Sequence, residues 1–129
     1  MGSNLLIYGE ETNLNLYGEL IVMRDRPLVY IASAYSGDIE SNTKKAKIYC
    51  RFAALEGKAP IAPHLFLPSF ISEETERELA LAIDMAILAY CSELWAFGKP
   101  TAGMAREITA AREQGIRIRM FTEDMEELV

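Results

Sequence analysis

The chain is poor in the residues that build metal centres and disulfide scaffolds. It has one histidine, His64, and two cysteines, Cys50 and Cys91, among 129 residues. A His/Cys zinc site needs more ligands than this, and no CxxC pair occurs. Both cysteines stand in apolar helical context and read as buried, reduced thiols, which fits a cytosolic protein. Basic residues are scarce too, 13 against 19 acidic ones, for a net charge of −6. That balance disfavours the phosphate backbone of a nucleic-acid polymer as partner. It leaves room for a free nucleotide, because a few backbone N–H groups suffice to hold one phosphate. No run approaches the roughly 18 apolar residues of a membrane helix. Met1-Gly2-Ser3-Asn4 lacks the basic-then-apolar pattern of a secretion signal. Internal repeats and low-complexity tracts are absent. The expectation is a cytoplasmic globular protein with no metal, no cofactor, no membrane contact and no nucleic-acid polymer.

What is present is a core-forming composition, 50% hydrophobic and 25% charged, in a length that suits one domain. Leu5–Tyr8 and Leu14–Met23 read as two strands joined by the polar loop Gly9–Asn13, and Asp25-Arg26-Pro27 interrupts the chain. Residues 1–27 are therefore expected to be a β-hairpin extension, and residues 28–129 an α/β domain. In that domain Leu28–Ala32 reads as a buried strand, and Ser33–Asp38 as a polar loop. Ile39–Glu56 reads as a helix ended by Gly57. Ala59–Pro63 is a second strand, and His64–Ile71 a loop with exposed aromatics. Ser72 caps a helix over Glu73–Tyr90, although Thr75 stands where a full capping box has Glu or Gln. Glu93–Phe97 is a third strand, Ala102–Gln114 a third helix closed by Gly115, and Ile116–Phe121 a fourth strand. Thr122–Val129 reads as a last helical turn. The alternation predicts right-handed βαβ units in a three-layer α/β/α sandwich, with a mostly parallel, Rossmann- or flavodoxin-like sheet. Ligands in such folds bind beyond the carboxyl ends of the strands, here Ser33–Asp38, His64–Pro68 and Gly98–Gly103.

Several residues at those ends carry chemistry. Asp84 is the only charged residue between Leu79 and Cys91, on a helix apolar nearly all round, so its carboxyl is expected to be buried. It is either tied to a local donor or set by a pocket to handle a proton. Glu107 borders the apolar stripe of Met104, Ile108 and Ala111. The small residues Gly103, Ala110 and Ala111 leave room beside it. The plain alternative is a surface glutamate near Arg106 or Arg112. Two carboxylates on one pocket suit glycosidic-bond chemistry, one as nucleophile and one as acid. Ser33–Gly37 follows a strand and precedes a helix, where amides and hydroxyls hold anions; it is otherwise a plain turn. Thr101 is a helix cap or a substrate contact. His64 is a loop-edge histidine or a catalyst. Trp95 reads as core, and Lys44-Lys45-Ala46-Lys47 as a solvated helix face.

Read in order, these segments resemble a known superfamily. The segments are Val29-Tyr30-Ile31-Ala32-Ser33-Ala34-Tyr35-Ser36-Gly37, Ala62-Pro63-His64, Ile83-Asp84-Met85, Glu93-Leu94-Trp95-Ala96-Phe97-Gly98 and Gly103-Met104-Ala105-Arg106-Glu107-Ile108. They resemble the nucleoside 2-deoxyribosyltransferases, a superfamily that includes nucleoside 5′-monophosphate N-glycosidases. Within it they are most similar to an uncharacterised phage and bacterial branch. The resemblance implies that Glu107 attacks the anomeric carbon, that Asp84 helps protonate the leaving base and that Tyr30 orients the glutamate. It implies that Ser33, Tyr35, Ser36 and Gly37 embrace the sugar or its 5′ end and that His64 lies near the base. It further implies that Thr101 holds a sugar hydroxyl or the 5′-phosphate, and it places Gly103 and Met104 against the substrate. A hydroxyl residue at Thr101, where the free-nucleoside transferases tend to have Asp, tilts the reading to nucleotides.

The resemblance has departures. Ser92 replaces a frequent Asp, and Ser33-Ala34 replaces Gly-Pro. The family's fifth strand and the residues a neighbouring subunit donates have no counterpart after Phe121. The N-terminal hairpin is expected to cover that sheet edge or to build a different dimer contact. The expected function is cleavage or transfer at the N-glycosidic bond of a nucleoside or nucleoside 5′-monophosphate by a homo-oligomer. The alternatives are a non-catalytic nucleotide-binding or sequestering module and a scaffold that uses only the fold.

Overall fold

A computed structural model describes residues 25–129 throughout and the backbone of residues 5–7, 10–14 and 20–22. The N-terminal strands are β1 (Leu5–Ile7), β2 (Glu10–Leu14) and β3 (Leu20–Val22). They form one antiparallel sheet in the order β1-β2-β3, with Leu6 opposite Glu11 and Asn13 opposite Ile21. The segment expected as a hairpin loop, Gly9–Asn13, thus supplies a middle strand over most of its length. Pairing on both sides overrides the poor strand propensity of Glu and Asn. Tyr8, Gly9, residues 15–19 and Met23 lie outside the described residues.

The second sheet contains β4 (Leu28–Ala32), β5 (Ala59–Ile61), β6 (Glu93–Phe97) and β7 (Arg117–Phe121), all parallel, in the order β5-β4-β6-β7. Successive side chains of a strand face opposite sides, and here the alternation sorts the core in two. Tyr30, Ala32, Leu94 and Ala96 pack against α2 (Arg77–Leu88) and α3 (Ala102–Glu113). Val29, Ile31, Trp95 and Phe97 pack against α1 (Ile39–Leu55). This is the expected three-layer α/β/α sandwich. The strand order reverses between β4 and β6, so the loops that leave these neighbours diverge and open a crevice between them.

Helix ends explain most of the boundary differences. Asp38 caps α1 by accepting from the Ser41 amide at 3.1 Å. At the other end of α1 the Arg26 guanidinium donates to Ala54 O and Lys58 O at 3.1 and 2.8 Å. The segment that interrupts the chain therefore also ties the C-terminal end of α1 to the start of β5. The helix expected from Glu73 begins at Arg77. Ser72 does accept from Thr75 N, at 3.3 Å, but Glu76 closes the turn by accepting from Ser72 N at 3.0 Å. The box thus forms one residue late, as a separate turn ahead of the helix. The tail does not form the expected helical turn. It reverses at Met125 (φ 65°) and runs back antiparallel to β7, with Phe121 bridged to Glu127. The tail itself, rather than the N-terminal strands, covers that part of the β7 edge.

Candidate active site

Beyond the carboxyl ends of β4 and β6, on the α2–α3 side, lies a cavity of about 450 Å³. That falls in the ~300–1,000 Å³ range of small-ligand pockets. Tyr30 comes from β4, on the register that faces α3. Glu107 comes from α3, where Met104, Ile108 and Ala111 are buried. One residue before Ile108 and one turn after Met104, the glutamate sits on the flank of that stripe and reaches under the sheet end. The Tyr30 hydroxyl donates to Glu107 Oε2. Asp84 lies midway between Ala80 and Leu88, the two buried residues of α2, so helical spacing aims it inward. It is half-buried rather than fully buried, and Oδ1 has no hydrogen-bond partner.

The electrostatics follow from this enclosure. Burial raises the Glu107 carboxyl to about 7; Asp84 and Glu73 push it the same way, and the Tyr30 hydroxyl and Arg106 partly oppose them. Burial and the Glu73 charge raise Asp84 to about 6. Burial, Glu107 and Asp84 all raise the Tyr30 phenol, which stays protonated and serves as a donor. Burial holds the His64 imidazole down at about 4, so it is neutral at physiological pH.

The other expected residues converge on the same cavity, with one exception. Ser33, Tyr35, Ser36, His64, Thr101, Gly103 and Met104 line it, and Gly37 does not. Gly37 instead takes φ +95° in the turn into α1, a conformation that favours glycine. The Tyr35 and His64 rings face each other at 5.3 Å between centroids. Asn42 holds the loop beneath Tyr35 by donating to Tyr35 O and Ser36 O, each at 3.1 Å. Thr101 Oγ1 accepts from Met104 N at 3.2 Å, so the residue caps α3 while lining the cavity. Among the described residues three buried side-chain polar atoms lack partners, Ser33 Oγ, His64 Nε2 and Asp84 Oδ1, and all belong to residues of this cavity.

Sequence reading missed Asn42, Glu73, Glu74, Arg77 and Arg106, the last four of which also line the cavity. Arg106 was within reach, since it immediately precedes Glu107, but one residue along a helix faces elsewhere. The Ser72–Glu76 turn that places Glu73 and Glu74 had no such signal. Among the described residues no group of His, Cys, Asp and Glu is arranged to hold a metal ion. Cys91 is buried and Cys50 half-buried; both are free, with burial raising each thiol to about 11.

Solved structures share this architecture. The 2-deoxyribosyltransferase of the psychrotolerant bacterium Bacillus psychrosaccharolyticus superposes with a TM-score of 0.54 at 21% identity, over 79% of this chain and 76% of its own. The Leishmania mexicana 2-deoxyribosyltransferase superposes with a TM-score of 0.59 at 14% identity, over 74% of this chain and 64% of its own, so the match spans just under two thirds of that protein. The chain therefore has a nucleoside 2-deoxyribosyltransferase-like fold. Residues 27–121 match the family model described as a domain of unknown function, DUF7768, and the chain belongs to that family. No curated protein matches the sequence.

Proposed function

We propose that the protein cleaves or transfers the N-glycosidic bond of a nucleoside or nucleoside 5′-monophosphate through a glycosyl-enzyme on Glu107. The observation that carries this reading is the hydrogen bond from Tyr30 to Glu107 Oε2 in a cavity shared with the unpaired Asp84 Oδ1. The tyrosine fixes one carboxylate oxygen and leaves Oε1 to attack. Likeness in fold to 2-deoxyribosyltransferases supports the same class of chemistry.

Glu107 Oε1 bonds to the anomeric carbon as the bond from that carbon to the base nitrogen breaks. Asp84 gives its proton to the departing base. Water, or a second base, then attacks the anomeric carbon. The ester bond breaks, Glu107 is restored as carboxylate, and configuration is retained overall. Asp84 takes back a proton from the incoming nucleophile. Hydrolysis and transfer differ only in that second acceptor. Tyr35 and His64 supply an aromatic wall for the base, and Thr101, Ser33 and Ser36 supply hydroxyls for the sugar or its phosphate. Arg77 and Arg106 line the same cavity and favour a phosphorylated sugar. No cofactor enters any step.

In this reading residues 28–129 carry the activity and residues 1–27 are an appendage. The protein works as a homo-oligomer in the cytoplasm. The exposed apolar side chains of Leu79 and of Tyr90, just past the end of α2, support self-association, and light scattering that finds only monomer removes that element. No described helix is long and apolar enough to cross a membrane.

The test is chromatographic. The protein is incubated with ribo- and deoxyribonucleosides and their 5′-monophosphates, with and without a second free base. Free base from the native protein and not from Glu107→Ala is the expected result. Base exchange without net release identifies a transferase. A ligand-dependent rise in melting temperature without turnover on any substrate overturns the catalytic reading in favour of a binding module.

A further inference from the structure

On the α1 side of the β4–β6 crevice lies a second cavity, of about 170 Å³, that the glycosidic reading does not use. It is far above the ~10–15 Å³ one water needs and below the ~300 Å³ of the smallest nucleoside-sized pockets. Lys45 and Tyr49 reach it from α1, Gly98 and Lys99 from the turn after β6, and Glu123 from the tail. Ser33 lines both cavities, is only 8% exposed, and its hydroxyl has no hydrogen-bond partner. A buried hydroxyl left unpaired is a standing demand for a ligand atom.

The cavity already holds one anion, and it belongs to the chain. The Lys45 ammonium donates to Glu123 Oε1 at 2.8 Å. A Cβ on Gly98 would stand 3.1 Å from Glu123 Cγ, and Gly98 takes φ +80°, so a glycine here is what lets the glutamate sit against this turn. Both partners are substantially exposed, at 46% and 61% of their side chains, so the pair is weakly held and open to exchange. Lys99 also lines the cavity and has no ion-pair partner among the described residues. Asp38 also acts on Lys45, but its carboxylate caps α1. The Tyr49 ring, stacked on Phe97 at 4.3 Å, forms a rigid wall.

We propose that this second cavity is a binding site for a phosphate-type oxyanion, which replaces the Glu123 carboxylate on Lys45, is joined by Lys99 and takes a hydrogen bond from Ser33. The site does not rest on the glycosidic reading, and the Ser33 hydroxyl, which lines both cavities, serves one ligand at a time. Nothing bonds or breaks covalently; the anion exchanges with a side-chain carboxylate.

Inorganic phosphate and glycerol phosphate, titrated separately and followed by backbone amide shifts, test the proposal. Saturable shifts at Ser33–Ala34, Lys45 and Gly98–Lys99 are expected. Response to the inorganic ion alone marks a site for the free anion, and response to both marks one that also takes a monoester. Removing the internal competitor by Glu123→Gln is expected to tighten binding about fivefold to tenfold. Lys45→Gln is expected to weaken it by at least as much. Melting temperatures check that both variants fold. Failure to saturate below about 10 mM, shifts confined to Thr101–Glu107, or indifference of the affinity to both substitutions overturns the proposal. Because neither Lys45 nor Glu123 touches the first cavity, base release by the native protein is judged separately.

Discussion

Glu107 stands at a cost to the fold. Its carboxyl ionises near the ordinary 4.5 in the unfolded chain and near 7 when buried beside Asp84 and Glu73. Below about pH 4.5 both states hold the proton and nothing is lost. As pH rises toward 7 the unfolded chain releases its proton first, so stability falls, and above 7 the full penalty remains. Glu107→Gln, which still accepts from Tyr30, is therefore expected to be more stable than the native protein at pH 8, on the order of 2–3 kcal/mol. The difference should vanish near pH 4, and denaturant melts at both pH values measure it. The same pair sets the activity profile. Between about pH 6 and 7 the pair holds one proton, mainly on Glu107, and the reactive form is the minor one that carries it on Asp84. Base release is expected to follow a bell with limbs near those values. Tyr30→Phe removes the bond that lowers Glu107, so it should move the alkaline limb upward and slow turnover about 10- to 100-fold. Glu107→Ala should slow it at least about 10³-fold.

Elements position these residues through spacing that is partly local. β4, β6 and α3 start and stop within a residue or so of where apolar runs, caps and glycines place them. The Glu107 flank was therefore legible as a pattern, whereas Tyr30 was singled out by the resemblance. Thr101 fixes where α3 begins, so Thr101→Ala is expected to cost about 1 kcal/mol through the lost cap. It should also raise KM if the hydroxyl meets substrate, and melting and initial-rate measurements separate the two effects. The start of α2 was not legible, because Ser72 is a sound cap signal that the chain spends on a turn closed by Glu76. That choice lets Glu73 and Glu74 line the cavity instead of entering the first helical turn. β2 was hidden for a different reason, since its Glu and Asn residues become strand only between two paired neighbours.

At the scale of the whole molecule, core burial and surface charge contribute unequally. Trp95 is fully buried on the α1 side of the sheet, packed near Phe52 of α1 and Phe121 of β7 and covered by the Arg119 guanidinium at 4.5 Å. Trp95→Ala is expected to cost about 3–5 kcal/mol. Arg119 also grips Glu127 through two bonds of 2.8 and 2.6 Å and so pins the tail along β7. Glu127→Gln, at the exposed end of that pair, is expected to lower the melting temperature only slightly, and by still less in high salt. The tail was expected to form a helical turn. The actual reversal depends on Met125 at positive φ and on Arg119 from a strand, two partners no local pattern links to the tail.

The sequence by itself determined the alternation of strands and helices from Leu28 to Phe121, the apolar stripe of α3 and the carboxylates with chemical potential. Those properties follow from periodicity, capping and the rarity of charge in apolar runs, all of which act over a few residues. Only the tertiary structure decided which oxygen of Glu107 meets Tyr30, that Asp84 Oδ1 and Ser33 Oγ lack partners, and that Arg77, Arg106 and Glu73 share one cavity. It alone joined Lys45 to Glu123 across 78 positions. Such contacts arise from closing the sheet in the order β5-β4-β6-β7, which brings together residues whose separation along the chain carries no trace of their meeting.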